Sequence, residues 1–131
     1  MKSAKGTRRG ATALLGACLL AFALVGCSRP NQVPAGPLDF TFVNNSGMII
    51  KSIYVSPNSV DDWQENILIG DLVRAQGRMV IRFDHQEKTP VWDLKIEDTN
   101  GRTAEFKNLD LRRISRLTLR FRNGVAIAEA E

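Results

Sequence analysis

Three runs of seven residues, 78–84, 91–97 and 116–122, alternate apolar and polar side chains, and this period of two constrains the fold more than any other feature of the chain. The apolar faces are Met79, Ile81 and Phe83; Trp92, Leu94 and Ile96; and Leu117, Leu119 and Phe121. Successive side chains of a strand point to opposite faces, so such runs bury one face and solvate the other, as antiparallel strands do. Residues 38–44 and 48–56 are rich in Ile, Val, Phe and Tyr with less regular alternation, which suits strands covered on both faces. Asn44-Asn45-Ser46-Gly47 reads as a hairpin turn between them. Asp98-Thr99-Asn100-Gly101 reads as a second hairpin, leading into a strand over 103–107, because Asn-Gly supplies the positive φ angles of a tight turn. The polar loop Asp84-His85-Gln86-Glu87-Lys88 has the look of a third hairpin connection. The expected fold is all-β, a small antiparallel β-sandwich or barrel of about six to seven strands.

One segment breaks this pattern. Ser59 can cap a helix, and Asp61, Asp62 and Glu65 would then lie in its first turn, where acids favour the helix dipole. Trp63 and Ile67 stand four apart on one helix face, and Gly70 is a natural stop. A short helix is therefore expected in the loop after the second strand, anchored to the core by Trp63.

The first residues fix the compartment. Lys2, Lys5, Arg8 and Arg9 precede an apolar stretch over 11–26, which is too short for a bilayer span of roughly 20 residues and suits a signal peptide. Leu24-Val25-Gly26-Cys27 resembles a bacterial lipobox, and that resemblance implies cleavage before Cys27 and acylation of its thiol and new N-terminus with fatty acids such as palmitate. Residues 1–26 are then signal peptide, 27–37 a lipidated cysteine and proline-rich tether, 38–123 the folded domain and 124–131 a C-terminal tail. The chain has 18 basic and 14 acidic residues, and the formal charge of +4 lies wholly in the signal, so the mature chain is formally neutral and the basic pI of the whole chain is no argument for nucleic acid. Cys18 leaves with the signal and Cys27 is consumed by lipid, so neither serves a disulfide or a metal. The resulting expectation is an exported, membrane-anchored lipoprotein. Ser28, where an Asp would resemble an inner-membrane retention signal, points to the outer membrane or the periplasmic face.

The order of these motifs resembles a family of small exported bacterial β-sandwich proteins of unknown function. The resemblance is carried by Asn44-Asn45-Ser46-Gly47, Ile53-Tyr54-Val55-Ser56-Pro57, Asp61-Asp62-Trp63, Val91-Trp92-Asp93-Leu94-Lys95 and Leu109-Asp110-Leu111, and spans nearly all of 38–121. It implies the sandwich fold and supplies no function. Gln64 stands where many relatives have Gly, and Pro90 and Arg112 where many have Cys.

Chemistry is sparse. His85 is the one histidine, and no nucleophile elbow, phosphate loop or pair of His at ligand spacing occurs, so no enzyme is expected; a small hydrolase built around His85 is the weakest alternative. Asp61, Asp62, Glu65 and Asp71, with Asn58 and Asn66, could offer oxygen ligands of the kind Ca²⁺ takes, although no EF-hand spacing is present. No other cofactor is implied. Arg116, Arg120 and Arg122 share one face of the last alternating run with Thr118. Left free, they make a basic surface for an anionic lipid or an acidic envelope partner; interleaved with Asp93, Glu97 and Glu105, they are neutralised. The function expected is a non-catalytic binding or scaffolding module held at the membrane by lipid, with calcium-dependent binding as the alternative.

Overall fold

The computed structural model describes residues 34–58, 60 and 62–131. The signal segment, Cys27 and most of the tether, together with Ser59 and Asp61, lie outside the described residues. Seven strands are described: β1 (Phe40–Asn45), β2 (Ile50–Pro57), β3 (Arg78–Ile81), β4 (Val91–Asp98), β5 (Thr103–Asp110), β6 (Arg116–Arg122) and β7 (Val125–Ala130). They form a four-stranded sheet in the order β3-β1-β6-β7 and a three-stranded sheet in the order β2-β4-β5, a small all-β sandwich. Every pairing is antiparallel except that of β1 with β6.

The alternating runs place the core where their periodicity predicts. Phe40, Phe42, Leu117 and Leu119 from the first sheet are buried with Ile53, Leu94, Ile96 and Trp92 from the second. Each such side chain removed from water contributes about 1.5–3 kcal/mol. Phe83 lies beyond the end of β3, but its ring still packs on Phe40 and, edge-on, on Trp92 at a centroid distance of 4.9 Å.

The two loops read as hairpins on either side of the core are crossings between sheets. β1 and β2 lie in different sheets, so 44–47 turns the chain from one to the other, and 82–90 carries it from β3 across to β4. The first crossing is held by Asn44, which is fully buried. Its Nδ2 donates to the carbonyls of Met48, Val73 and Arg74 at 2.7, 2.9 and 3.1 Å, and its Oδ1 accepts from the Ser46 N–H and hydroxyl. A side chain committed to the 73–74 loop cannot serve a simple hairpin. Only 98–101 returns the chain directly, as β5, and there Gly101 alone takes a positive φ, +80°, while Asn100 does not.

Among the described residues the expected helix after β2 is absent. Residues 62–66 have no regular structure and 67–70 form a turn. The segment instead runs along the outer edge of β2. Gln64 N–H donates to the Val55 carbonyl at 3.3 Å and Ile67 N–H to the Ile53 carbonyl at 2.9 Å. Asn66 Oδ1 accepts the Ile53 N–H at 2.9 Å, and its Nδ2 reaches the Lys51 carbonyl and Ser52 hydroxyl at 3.3 Å. An edge strand offers unpaired backbone groups, and satisfying them outweighs the modest local preference for a capped helix. Leu68 and Val73 then enter the core, and Val73 exchanges two backbone hydrogen bonds with Ile50 at 2.9 Å each. The loop thus covers the outer edge of β2.

The expected tail over 124–131 is likewise structured. Asn123 and Gly124 take φ +52° and +78°, a two-residue turn, and β7 pairs with β6 throughout. The folded domain therefore extends past residue 123 to the last strand.

Candidate functional site

The arginine face of β6 is not a free cationic surface. Arg116 pairs with Glu131 at 3.1 Å, and Arg120 and Arg122 both pair with Glu129, at 2.7 and 3.0 Å. The neutralising acids come from the strand read as a tail. Asp93, Glu97 and Glu105, expected to interleave with these arginines, lie in the other sheet and pair there with Lys107 and Lys51. Arg78 stands on the outer face of the arginine sheet, but β1 separates its strand from β6. Such exposed pairs are worth about 0–1 kcal/mol each; their main effect here is to lower the charge of the face. Glu129 serves two guanidinium groups, so the Arg122 end of the sheet keeps an excess of positive charge.

Trp63 is not part of the core. With no helix to align it with Ile67, it lies half-buried over the outer face of the second sheet. There the Lys95 and Lys107 ammonium groups stand 4.9 and 4.8 Å from its ring centroid. Lys95 also stands 5.0 Å from the Tyr54 ring, so this face is an aromatic and lysine layer held by cation–π attraction. Asp62, Glu65 and Asp71 are exposed, and Asp61 lies outside the described residues. Among the described residues no three acidic, His or Cys side chains converge. His85 is exposed in the 82–90 crossing, where the nearby carboxylates of Asp84 and Glu87 accept the backbone N–H groups of Gln86 and Thr89.

Two buried carboxylates carry structural work that sequence reasoning did not assign. Asp39 accepts N–H groups from Ala35, Gly36 and Phe83 and lies 3.5 Å from an Arg82 nitrogen. Asp98 accepts the Asn100 and Arg102 N–H groups at 2.8 and 3.0 Å and pairs with the Arg102 guanidinium at 2.9 Å. Burial alone would raise both carboxyls, but these donors and the facing arginine outweigh it and leave both below the ordinary carboxylate value. A carboxylate whose folded pKa is depressed stabilises the fold above its unfolded value of about 3.9, and this contribution is lost as pH falls through the folded value. Thermal melting followed from neutral to acid should therefore show stability falling below about pH 4. The double variant Asp39→Asn, Asp98→Asn should be less stable at neutral pH and show a shallower acid slope; an unchanged slope would assign the acid sensitivity to other groups.

A cleft of about 500 Å³ lies between β5 and β7, on the side away from the 62–73 loop. Ile96 and Ala104 form one wall, Phe121 and Ala126 the other. Its origin is the inner row of β7, where register places Ala126, Ala128 and Ala130 beside the bulky Phe121, Leu119 and Leu117 of β6. Methyl groups leave unfilled what larger side chains would occupy. Arg102 stands at the mouth, its guanidinium carbon 5.9 Å from the Phe121 ring centroid, held there by Asp98. The strand that forms this cleft could have been read from Asn123-Gly124, the same hairpin signal as Asn100-Gly101, followed by the alternation of 125–130.

No protein-family model and no curated protein matches the chain. Among solved structures, it is similar to the NMR structure of a protein from Eubacterium rectale, with a TM-score of 0.50 over 70% of this chain and 85% of that one. At 16% sequence identity the likeness speaks for a shared fold alone.

Proposed function

We propose that this chain is a lipid-anchored protein of the bacterial cell envelope, acylated at Cys27, whose sandwich is a non-catalytic binding module working through the cleft between β5 and β7. The observation that carries the binding half is the character of that cleft. Its walls are apolar, and its one ionic pair, Asp98 with Arg102, is committed to the β4–β5 turn. General acid–base chemistry needs a group placed to give or take a proton, whereas apolar walls with a few fixed polar groups suit recognition. The anchor half rests on the sequence, through the lipobox-like Leu24-Val25-Gly26-Cys27. A tether over 27–37, extended at about 3.1 Å per residue, would hold the domain up to roughly 30 Å from the bilayer.

One acyl chain holds a protein to membranes only reversibly, whereas two or more give a stable anchor. The full chain expressed with its own leader in a bacterial host, and fed labelled palmitate, should carry the label and sediment with membranes. Cys27→Ser should lose the label and appear in the soluble fraction. Equal labelling of the two proteins would overturn the anchor.

A further inference from the structure

The sandwich has four sheet edges, and three are protected. The β2 edge is covered by Gln64, Asn66 and Ile67. β3 is only four residues long, and β5 carries a ladder irregularity and the exposed charges Glu105 and Lys107. Covering, brevity, bulges and charge are the known defences of an edge. Among the described residues β7 has none of them: it reads Val-Ala-Ile-Ala-Glu-Ala, and its one charge is drawn back onto Arg120 and Arg122 of β6.

The ladder shows which backbone groups this edge offers. Arg116 and Glu131 exchange both N–H···O=C bonds, at 3.1 and 2.9 Å. Such pairs alternate along an antiparallel ladder, so Glu129, Ile127 and Val125 also bond to β6, and the N–H and C=O groups of Ala126, Ala128 and Ala130 point away from it. A strand laid there at about 4.8 Å from β7 would direct alternate side chains into the cleft between β7 and β5.

We propose that β7 is a strand-acceptor edge. It takes an extended segment of a partner protein through the backbone of Ala126, Ala128 and Ala130, with the partner's inward side chains filling the cleft. The chemistry of that segment follows from its surroundings. Its inward residues are apolar and larger than alanine, because the walls are Ile96, Ala104, Phe121 and Ala126. Its outward residues include acids, because Arg120 and Arg122 on the outer face outnumber the Glu129 carboxylate that both of them meet. A second copy of the chain fits less well: its own β7 presents only methyl groups on the inner row and would leave the cleft empty. Main-chain bonds supply affinity in this mode and alternate side chains supply selectivity.

This inference rests on the binding-module reading and names its partner class. The probe is a short synthetic peptide alternating valine and glutamate, with the same residues in two blocks as control, titrated into the ¹⁵N-labelled full chain in detergent micelles. The alternating peptide should slow amide exchange of Ala126, Ala128 and Ala130 by ~10-fold or more while the control does not. Ala128→Pro, which removes an outward N–H, should abolish the protection. If that variant fails to fold, Ala126→Leu keeps every amide while filling the cleft, and should weaken peptide binding by ~10-fold. Equal protection by both peptides, protection on Thr103 and Glu105 of β5 instead, or binding that survives the folded variant would overturn the proposal. So would protection that grows with protein concentration in the absence of peptide, which would assign the edge to a second copy. The palmitate label on Cys27 is read separately, so loss of the strand acceptor and loss of the anchor are distinguishable.

Discussion

Asn44→Ala should unfold the domain at markedly lower urea, with a loss of about 3–5 kcal/mol in unfolding free energy. The side chain is fully buried where the chain leaves one sheet for the other. Truncation takes one of two donors from the Val73 and Arg74 carbonyls, which keep the Ile50 and Gly77 N–H groups, and removes the side-chain donor to Met48. It also frees Ser46, whose N–H and hydroxyl both bond to Oδ1. A buried polar group left unpaired costs about 1–3 kcal/mol, and two of the three carbonyls keep a backbone donor, so the sum is less than the separate losses suggest. Against the 5–15 kcal/mol typical of small domains, this is a large share. Asn44→Asp should do no better, because a carboxylate would face three carbonyl oxygens. A loss below about 1 kcal/mol would show that the 73–74 loop is held by its apolar contacts and the Ile50–Val73 backbone pair without Asn44.

Trp92→Ala should cost a similar amount by a different route. Its ring is buried, meets Phe83 edge-on at 4.9 Å, and donates from Nε1 to the Thr89 carbonyl at 2.6 Å. Truncating a buried tryptophan leaves a cavity worth about 3–5 kcal/mol. Trp92→Phe keeps much of the ring volume and loses the N–H, so about 1–2 kcal/mol is expected. Fluorescence gives the check, because Trp63 is half-buried on the outer face and Trp92 is in the core. The change in emission on unfolding should come mainly from Trp92 and shrink in either variant.

How much of this was legible in the sequence depended on how local the signal was. The faces of β4 and β6 follow from alternation alone, since Leu94, Ile96, Leu117 and Leu119 have no other way to share a core. The 98–101 turn was legible because Asn-Gly acts within a few residues. Strand partners were not, because nothing local tells β1 to pair with β3 and β6 and not with β2. The helix expected from Ser59, Asp62 and Glu65 failed for a related reason: an edge of β2 waiting for hydrogen bonds took Asn66 and the Ile67 N–H. Trp63 and Ile67 then diverged, one onto lysines outside the sheet and the other against the core. Neutralisation of the Arg116, Arg120 and Arg122 face was foreseen, but its counter-ions were sought in Asp93, Glu97 and Glu105 because Glu129 and Glu131 sat in residues read as a tail. Asn123-Gly124 carried the missing information in plain view.

The parallel pairing of β1 with β6 also bears on the order of events in the life of the chain. Phe42 finds Leu117 across that ladder, so the middle of the larger sheet joins residues from nearly opposite ends of the domain. Loop closure over such a span is paid for before its contacts return anything, and folds dominated by non-local pairing form in milliseconds to seconds. A growing chain that has not yet released its last strands cannot complete this sheet. The larger sheet stays unfinished until β6 has been made, while β2, β4 and β5 can already pair, so the two layers of the sandwich close at different times.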